Sequence, residues 1–171
     1  MKTILLNNLV KCFSIEDIEK HLVYSYIKSN SLKIGTDDFI SQYLDGFSPL
    51  PKLINEVTKI GITSIDEISI AMELLIPAKD KKVNGAFFTP AYIADFILTT
   101  IRPEINAKII DPSCGSGAFL IAIAKYYKNT FGKSISDCIC ENIYGSDILH
   151  YNIERCKLLL SLLALSESEN I

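Results

Sequence analysis

The chain has 171 residues, 49% of them hydrophobic and 22% charged, a balance that supports a packed core and excludes an intrinsically disordered tail. Its length limits it to one domain, or one domain with a small appendage. The net charge of −3 excludes a molecule-wide field that would draw it to a phosphate backbone, so any nucleic-acid contact must be local or lie outside this chain.

Apolar residues recur at helical spacing from Ile15 to Ile27 and from Asp37 to Leu44, between breaks at Ser29-Asn-Ser31 and Gly46-Phe-Ser-Pro49. Ser14 is placed to cap the first of these helices, with Glu16 and Asp17 in the turn where the helix dipole favours them. Leu53 to Ile60 reads as a helix ended by Gly61, and Ile65 to Leu75 as another stopped before Pro77. After the polar loop Ala78-Lys-Asp-Lys-Lys-Val-Asn-Gly85 the pattern changes to strand, turn and helix. A boundary is expected there, with a helical N-terminal segment over 1–84 and an α/β part over 85–171.

In the second part, Thr89 should cap a helix with Pro90 at its first position, and Ile93, Phe96, Ile97 and Ile101 should form its apolar face. Lys108 to Asp111 and Asn142 to Asp147 read as strands, Ala118 to Tyr127 and Tyr151 to Leu165 as helices. This βαβα order opens a parallel α/β sheet.

The five cysteines (Cys12, Cys114, Cys138, Cys140, Cys156) form an odd, scattered set, and the N-terminus loses its apolar run too soon for a signal peptide. A reduced, cytoplasmic protein is expected. Cys138-Ile-Cys140 leaves one residue between the thiols, and His21 and His150 are the histidines, so ordinary buried thiols are expected and no metal site. The longest apolar runs, such as Ala118 to Ala124, fall short of the ~18 residues a membrane span needs.

The chemistry concentrates in Ile109-Ile-Asp-Pro-Ser-Cys-Gly-Ser-Gly-Ala-Phe-Leu120, where a strand ends in a carboxylate and runs through two glycines into a helix. Gly115 and Gly117 are expected to let the backbone pass close to a ligand, with the N–H groups of the helix start facing the same crevice. Asp111 stands at the carboxyl end of the strand, where open α/β sheets bind ligands. A dinucleotide site would want a third glycine where Leu120 stands and an acidic residue sooner than Asp147. S-adenosylmethionine suits the segment better, because its cationic amine and sulfonium favour a neighbouring carboxylate, and Asp147 could accept both ribose hydroxyls with its two oxygens. Either aspartate alone would read as a helix cap. Phe87-Phe88, after a glycine and just outside a helix, could wall an adenine or a methionine chain.

Gly-Ala-Phe-Phe-Thr-Pro, then Asp-Pro-Ser-Cys-Gly-Ser-Gly-Ala-Phe-Leu, then Ile-Tyr-Gly-Ser-Asp-Ile, in that order, closely resemble the N6-adenine DNA methyltransferases of restriction-modification systems. Among these the type I modification subunits and the fused type II restriction-methylation enzymes share the motif order. The resemblance covers residues 85 to about 165. It implies the start of a Rossmann-like S-adenosylmethionine-dependent fold, with Phe87, Phe88, Thr89 and Pro90 at the wall and methionine end of the cofactor pocket. Asp111, Ser113, Cys114, Gly115 and Gly117 would form the loop under the methionine, Asp147 would hold the ribose, and Ile148 would lie against the adenine. Cys114 is expected to be a neutral lining residue, not a nucleophile. His150 and Arg155 are expected on a solvated helix face.

The family's catalysis depends on an Asn-Pro-Pro-Tyr type motif that handles a flipped-out adenine, and the 171 residues contain no Pro-Pro. The expectation is a truncated, cofactor-holding part without catalytic residues, its sheet incomplete and its stability marginal. DNA would be bound through regions absent from this chain. A complementing methyltransferase chain, a specificity subunit or an endonuclease are the partners implied. The alternative is a non-catalytic cofactor-binding subunit that needs such a complementing chain.

Overall fold

Short polar side chains start three helices in the first half of the chain. Ser14, Asp38 and Ser64 each accept a backbone N–H from three residues on, satisfying a donor that a first turn leaves open. They begin α2 (Ile15–Ser29), α3 (Phe39–Tyr43) and α5 (Ile65–Leu74). The computed structural model describes residues 2–36, 38–76 and 89–169. In it α1 (Lys2–Leu9) precedes α2, and α4 (Pro51–Ile60) enters through Pro51 and stops at Gly61, whose φ of 65° is a left-handed terminator. The expected helices of this half are present. Apolar spacing did not single out α1, which is short and carries Asn7 and Asn8, both poor helix formers.

The second half runs α6 (Ala91–Ile101), β1 (Ile109–Asp111), α7 (Ala118–Phe131), α8 (Ile135–Glu141), β2 (Ile143–Gly145) and α9 (His150–Ser166). β1 and β2 are parallel, with Ile109 opposite Ile143, Ile110 opposite Tyr144 and Asp111 opposite Gly145. The expected strand and helix order holds, with α8 added in the crossover. That helix is capped by Ser134 on the Asp137 amide and is too short for apolar periodicity to declare it. It buries Cys138 but leaves Cys140 exposed, so the pair is not uniformly a buried one. The described residues thus form a mixed, mainly helical structure with a small two-stranded sheet.

The larger apolar cluster joins Val23, Ile68 and Met72 from the first half to Ile121, Tyr127 and Leu159 from the second. It therefore runs across the boundary expected near residue 84. A second cluster, around Leu6, Ile18, Leu53, Val57 and Ala71, lies among α1, α2, α4 and α5. Within the sheet, Ile143 is buried in the larger cluster and Ile109 packs against it. Their neighbours Ile110 and Tyr144 are 65% and 45% exposed on the opposite face.

Expectations need correction on two helices, α6 and α9. Thr89 does not cap α6; Pro90 takes the cap position itself, with φ −56° and ψ 139°, and no side chain among the described residues bonds the first turn. Nor is the apolar face of α6 the one expected, since Phe96 and Ile101 are 69% and 66% exposed while Ala94 and Leu98 are buried. α6 packs on α7 through this narrow Ala94/Leu98 seam, one turn apart, which among the described residues leaves the wider stripe uncovered. Arg155 is the correction on α9. It is buried and ion-paired with buried Glu19 of α2, with its guanidinium over the Tyr151 ring, whereas His150 is solvated. No described helix is long and apolar enough to cross a membrane.

Candidate functional site

β1 ends at Asp111, and the chain leaving it is joined to the chain leaving β2 by reciprocal backbone bonds. The Ser146 amide donates to the Asp111 carbonyl and the Cys114 amide to the Ser146 carbonyl, each at 3.0 Å. Asp111 Oδ1 accepts the Ser113 amide at 3.0 Å, which folds Pro112 and Ser113 over the strand end. Asp147, just past β2, accepts the Gly115 amide on Oδ2 at 2.9 Å, and the Leu149 amide and Asn152 side chain on Oδ1 at 2.8 and 3.1 Å.

The glycine turn follows directly. Gly115 and Gly117 have φ of 52° and 89°, in the left-handed region that costs an L-residue strain. The Gly117 amide donates back to the Cys114 carbonyl, and the first bond of α7 runs from the Ile121 amide to the Gly117 carbonyl, both at 2.8 Å. Among the described residues no side chain caps this helix start, so its first N–H groups lie outside the helical ladder.

Packing within the protein gives Gly117 a reason of its own. A Cβ there would sit 2.6 Å from Cys156 Sγ of α9, so the missing side chain makes room for the protein's own packing. Gly115 has open space among the described residues where its Cβ would be, and its φ of 52° favours glycine. Gly145, which the sequence reading did not single out, is another close approach, since a Cβ there would meet Leu120 Cδ1 at 2.7 Å and Cys114 Sγ at 3.1 Å. A glycine at the last position of a strand was the available signal.

The two thiols beneath the turn are neutral. Burial, then the charges of Asp111 and Asp147, push the Cys114 thiol up. Burial and its neighbour Cys114 push Cys156 up to about 12. A thiol so placed is not a nucleophile at neutral pH.

The structure thus brings Asp111, Ser113, Cys114, Gly115, Gly117 and Asp147 together. Ile148, beside them, is 87% exposed. Thr89 and Pro90 are half-buried at the head of α6, and among the described residues no hydrogen bond ties them to the turn. Phe87 and Phe88 lie outside the described residues. Sequence reasoning missed Ser146, Asn152, Ser116 and Ser69, because short polar residues leave no periodic signal.

Parallel strands that end in carboxylates, joined by a glycine turn to an uncapped helix start, form the arrangement in which α/β proteins hold small ligands beyond the strand ends. Comparison with known proteins narrows this class. The N-6 DNA Methylase family model matches residues 64–169, and the chain belongs to that family. It is 28% identical over 109 residues to the type I restriction enzyme EcoEI methylase subunit of Escherichia coli, covering 60% of this chain and 22% of that protein. It is 27% identical over 108 residues to the type I restriction enzyme MjaVII methylase subunit of Methanocaldococcus jannaschii, covering 60% and 18%. A solved modification subunit from Vibrio vulnificus YJ016 is similar over 82% of this chain and 33% of its own, at 19% identity and a TM-score of 0.49. The chain spans about a fifth of the length of the curated relatives it matches.

Proposed function

We propose that this chain supplies the S-adenosylmethionine-binding part of a DNA methyltransferase that modifies adenine N6 in a restriction-modification system. The crevice beyond β1 and β2 is the seat of the methyl donor, and the two strands are the start of a Rossmann-like sheet. One observation carries the reading. Asp111 and Asp147 stand at neighbouring parallel strand ends and flank an uncapped helix start, in a chain of the N-6 DNA Methylase family.

The residues present fit the cofactor. When bound, S-adenosylmethionine supplies an electrophilic methyl group on a sulfonium. Asp111, with Oδ1 engaged by Ser113, keeps a second oxygen for a cationic amine. Ser113, Cys114, Gly115 and Gly117 form the floor, and the raised Cys114 thiol keeps it neutral. Three of the roughly four acceptor positions of Asp147 are already taken by protein donors. Its carboxylate therefore fixes the crevice first and leaves one position for a ribose hydroxyl, instead of gripping both. Exposed Ile148 offers an apolar surface for the adenine, and Phe87, Phe88, Thr89 and Pro90 are assigned to the wall.

Calorimetry with S-adenosylmethionine and with a nicotinamide dinucleotide tests the reading. Saturable one-to-one binding of the first and none of the second is expected; the reverse overturns it.

DNA, a specificity subunit, an endonuclease and a chain carrying Asn-Pro-Pro-Tyr are the proposed partners. The absence of Pro-Pro from these residues supports assigning them the cofactor and not the target base. Transfer of labelled methyl to DNA should therefore appear on mixing with a complementing chain and not with these 171 residues alone.

A further inference from the structure

Ser116 carries the one side chain between the two left-handed glycines, so a side chain can hold the middle of the turn there alone. It points inward at 6% exposure, and its hydroxyl meets that of Ser69 on α5 at 3.1 Å. Ser69 is 2% exposed, and the two residues are 47 positions apart in the chain. Buried hydroxyls need partners, and each of these serves the other.

α5 is well fixed. Ser64 caps it on the Glu67 amide, Asp66 pairs with Lys125 of α7 at 2.6 Å, and Ile68 and Met72 are fully buried in the larger core. The family match begins at residue 64, the cap of this helix, so α5 belongs with the matched region although it lies before the polar loop. Other ties of the turn among the described residues run from the Cys114 amide to the Ser146 carbonyl, the Gly115 amide to Asp147 and the Gly117 amide to the Cys114 carbonyl. All three hold backbone within the second half. The serine pair is a tie from the turn to the N-terminal helices.

We propose that Ser69 is a positioning residue, which holds the glycine turn in its binding shape from outside the α/β part through the Ser116 hydroxyl. The affinity arm of the test rests on the cofactor reading; the exchange arm does not. Amide hydrogen exchange on the full chain should show the Gly115 and Gly117 amides exchanging at least tenfold faster in Ser69→Ala, with mid-α7 amides such as Ile123 unchanged. Ser116→Ala should give the same local effect, and the double variant should be no worse than either single one. Should Ser69→Ala not fold, Ser116→Ala carries the expectation from the other side of the pair. Ser69→Thr, which keeps the hydroxyl, should restore slow exchange.

S-adenosylmethionine affinity should fall about tenfold in Ser69→Ala and return in Ser69→Thr. Unchanged exchange at both glycines, or acceleration spread evenly over the chain, overturns the proposal. A wild-type chain that binds no S-adenosylmethionine overturns the functional reading instead, and the exchange result still decides the role of Ser69.

Discussion

The Gly115 amide donates to Asp147 Oδ2 at 2.9 Å, across 32 residues of sequence. The same carboxylate holds the start of α9 through Leu149 and Asn152, so one side chain joins the turn after β1 to the helix after β2. Asp147→Ala leaves three donors without this acceptor and should cost about 2–3 kcal/mol, as expected for bonds to a charged group. Asp147→Asn, which keeps one carbonyl oxygen, should cost about half as much. Urea unfolding measures both. Wild-type stability in Asp147→Ala would show that the carboxylate anchors nothing.

The two turn glycines should respond differently to a methyl group. Gly115→Ala meets open space at φ 52° and should cost about 1–2 kcal/mol of backbone strain. Gly117→Ala adds a 2.6 Å approach to Cys156 Sγ at φ 89°, so overpacking contributes a further ~1–3 kcal/mol. Cys156→Ala in the same chain should recover the second part and not the first. Equal losses at the two glycines in urea melts would contradict this division.

How far the site was legible follows from the kind of signal each part leaves. Asp111 and Asp147 were readable because a carboxylate and a glycine turn at a strand end form a local pattern, and the strand pairing then brought them together. The protein donors that Asp147 accepts were not readable, because they depend on which amides the fold delivers to it. The outward stripe of α6 failed for a related reason. Periodicity states which face is apolar, and Ala94 and Leu98 show that partner geometry chooses which face is covered. Arg155 was read as solvated because nothing in its own segment announces Glu19, 136 residues away.

That buried pair has a pH signature opposite to a surface one. Burial raises the Glu19 carboxyl above its ordinary range by more than Arg155 lowers it. Its stabilising contribution is therefore full below its unfolded pKa and is lost as pH rises through the folded value. Glu67 behaves the other way. Its hydrogen bond from Lys2, then the Thr63 amide, hold it down to about 2, so its contribution is present above the unfolded value and is lost as pH falls towards 2. Glu19→Gln should flatten the decline of stability above about pH 4.5, and Glu67→Gln the decline below it. Arg155→Met alone strands the Glu19 charge and should cost about 3–5 kcal/mol, much of it recovered with Glu19→Gln. Urea midpoints from pH 2 to 8 would expose an error in either sign.

Parallel sheets are ordinarily covered on both faces, yet among the described residues Ile110 and Tyr144 present a bare one, and Phe96 and Ile101 of α6 are also exposed. Exposed apolar surface of this kind favours association. The purified chain is expected to bind a hydrophobic dye and to sediment as more than a monomer. Ile110→Lys should reduce both effects while changing stability by less than about 0.5 kcal/mol, since the side chain meets solvent. Ile109→Lys, one residue earlier and packed against the larger core, should instead unfold the chain, because an unpaired charge there loses its water. Equal destabilisation by the two substitutions would mean that the outer face of the sheet is covered in solution, and a dye-silent monomer would mean the same.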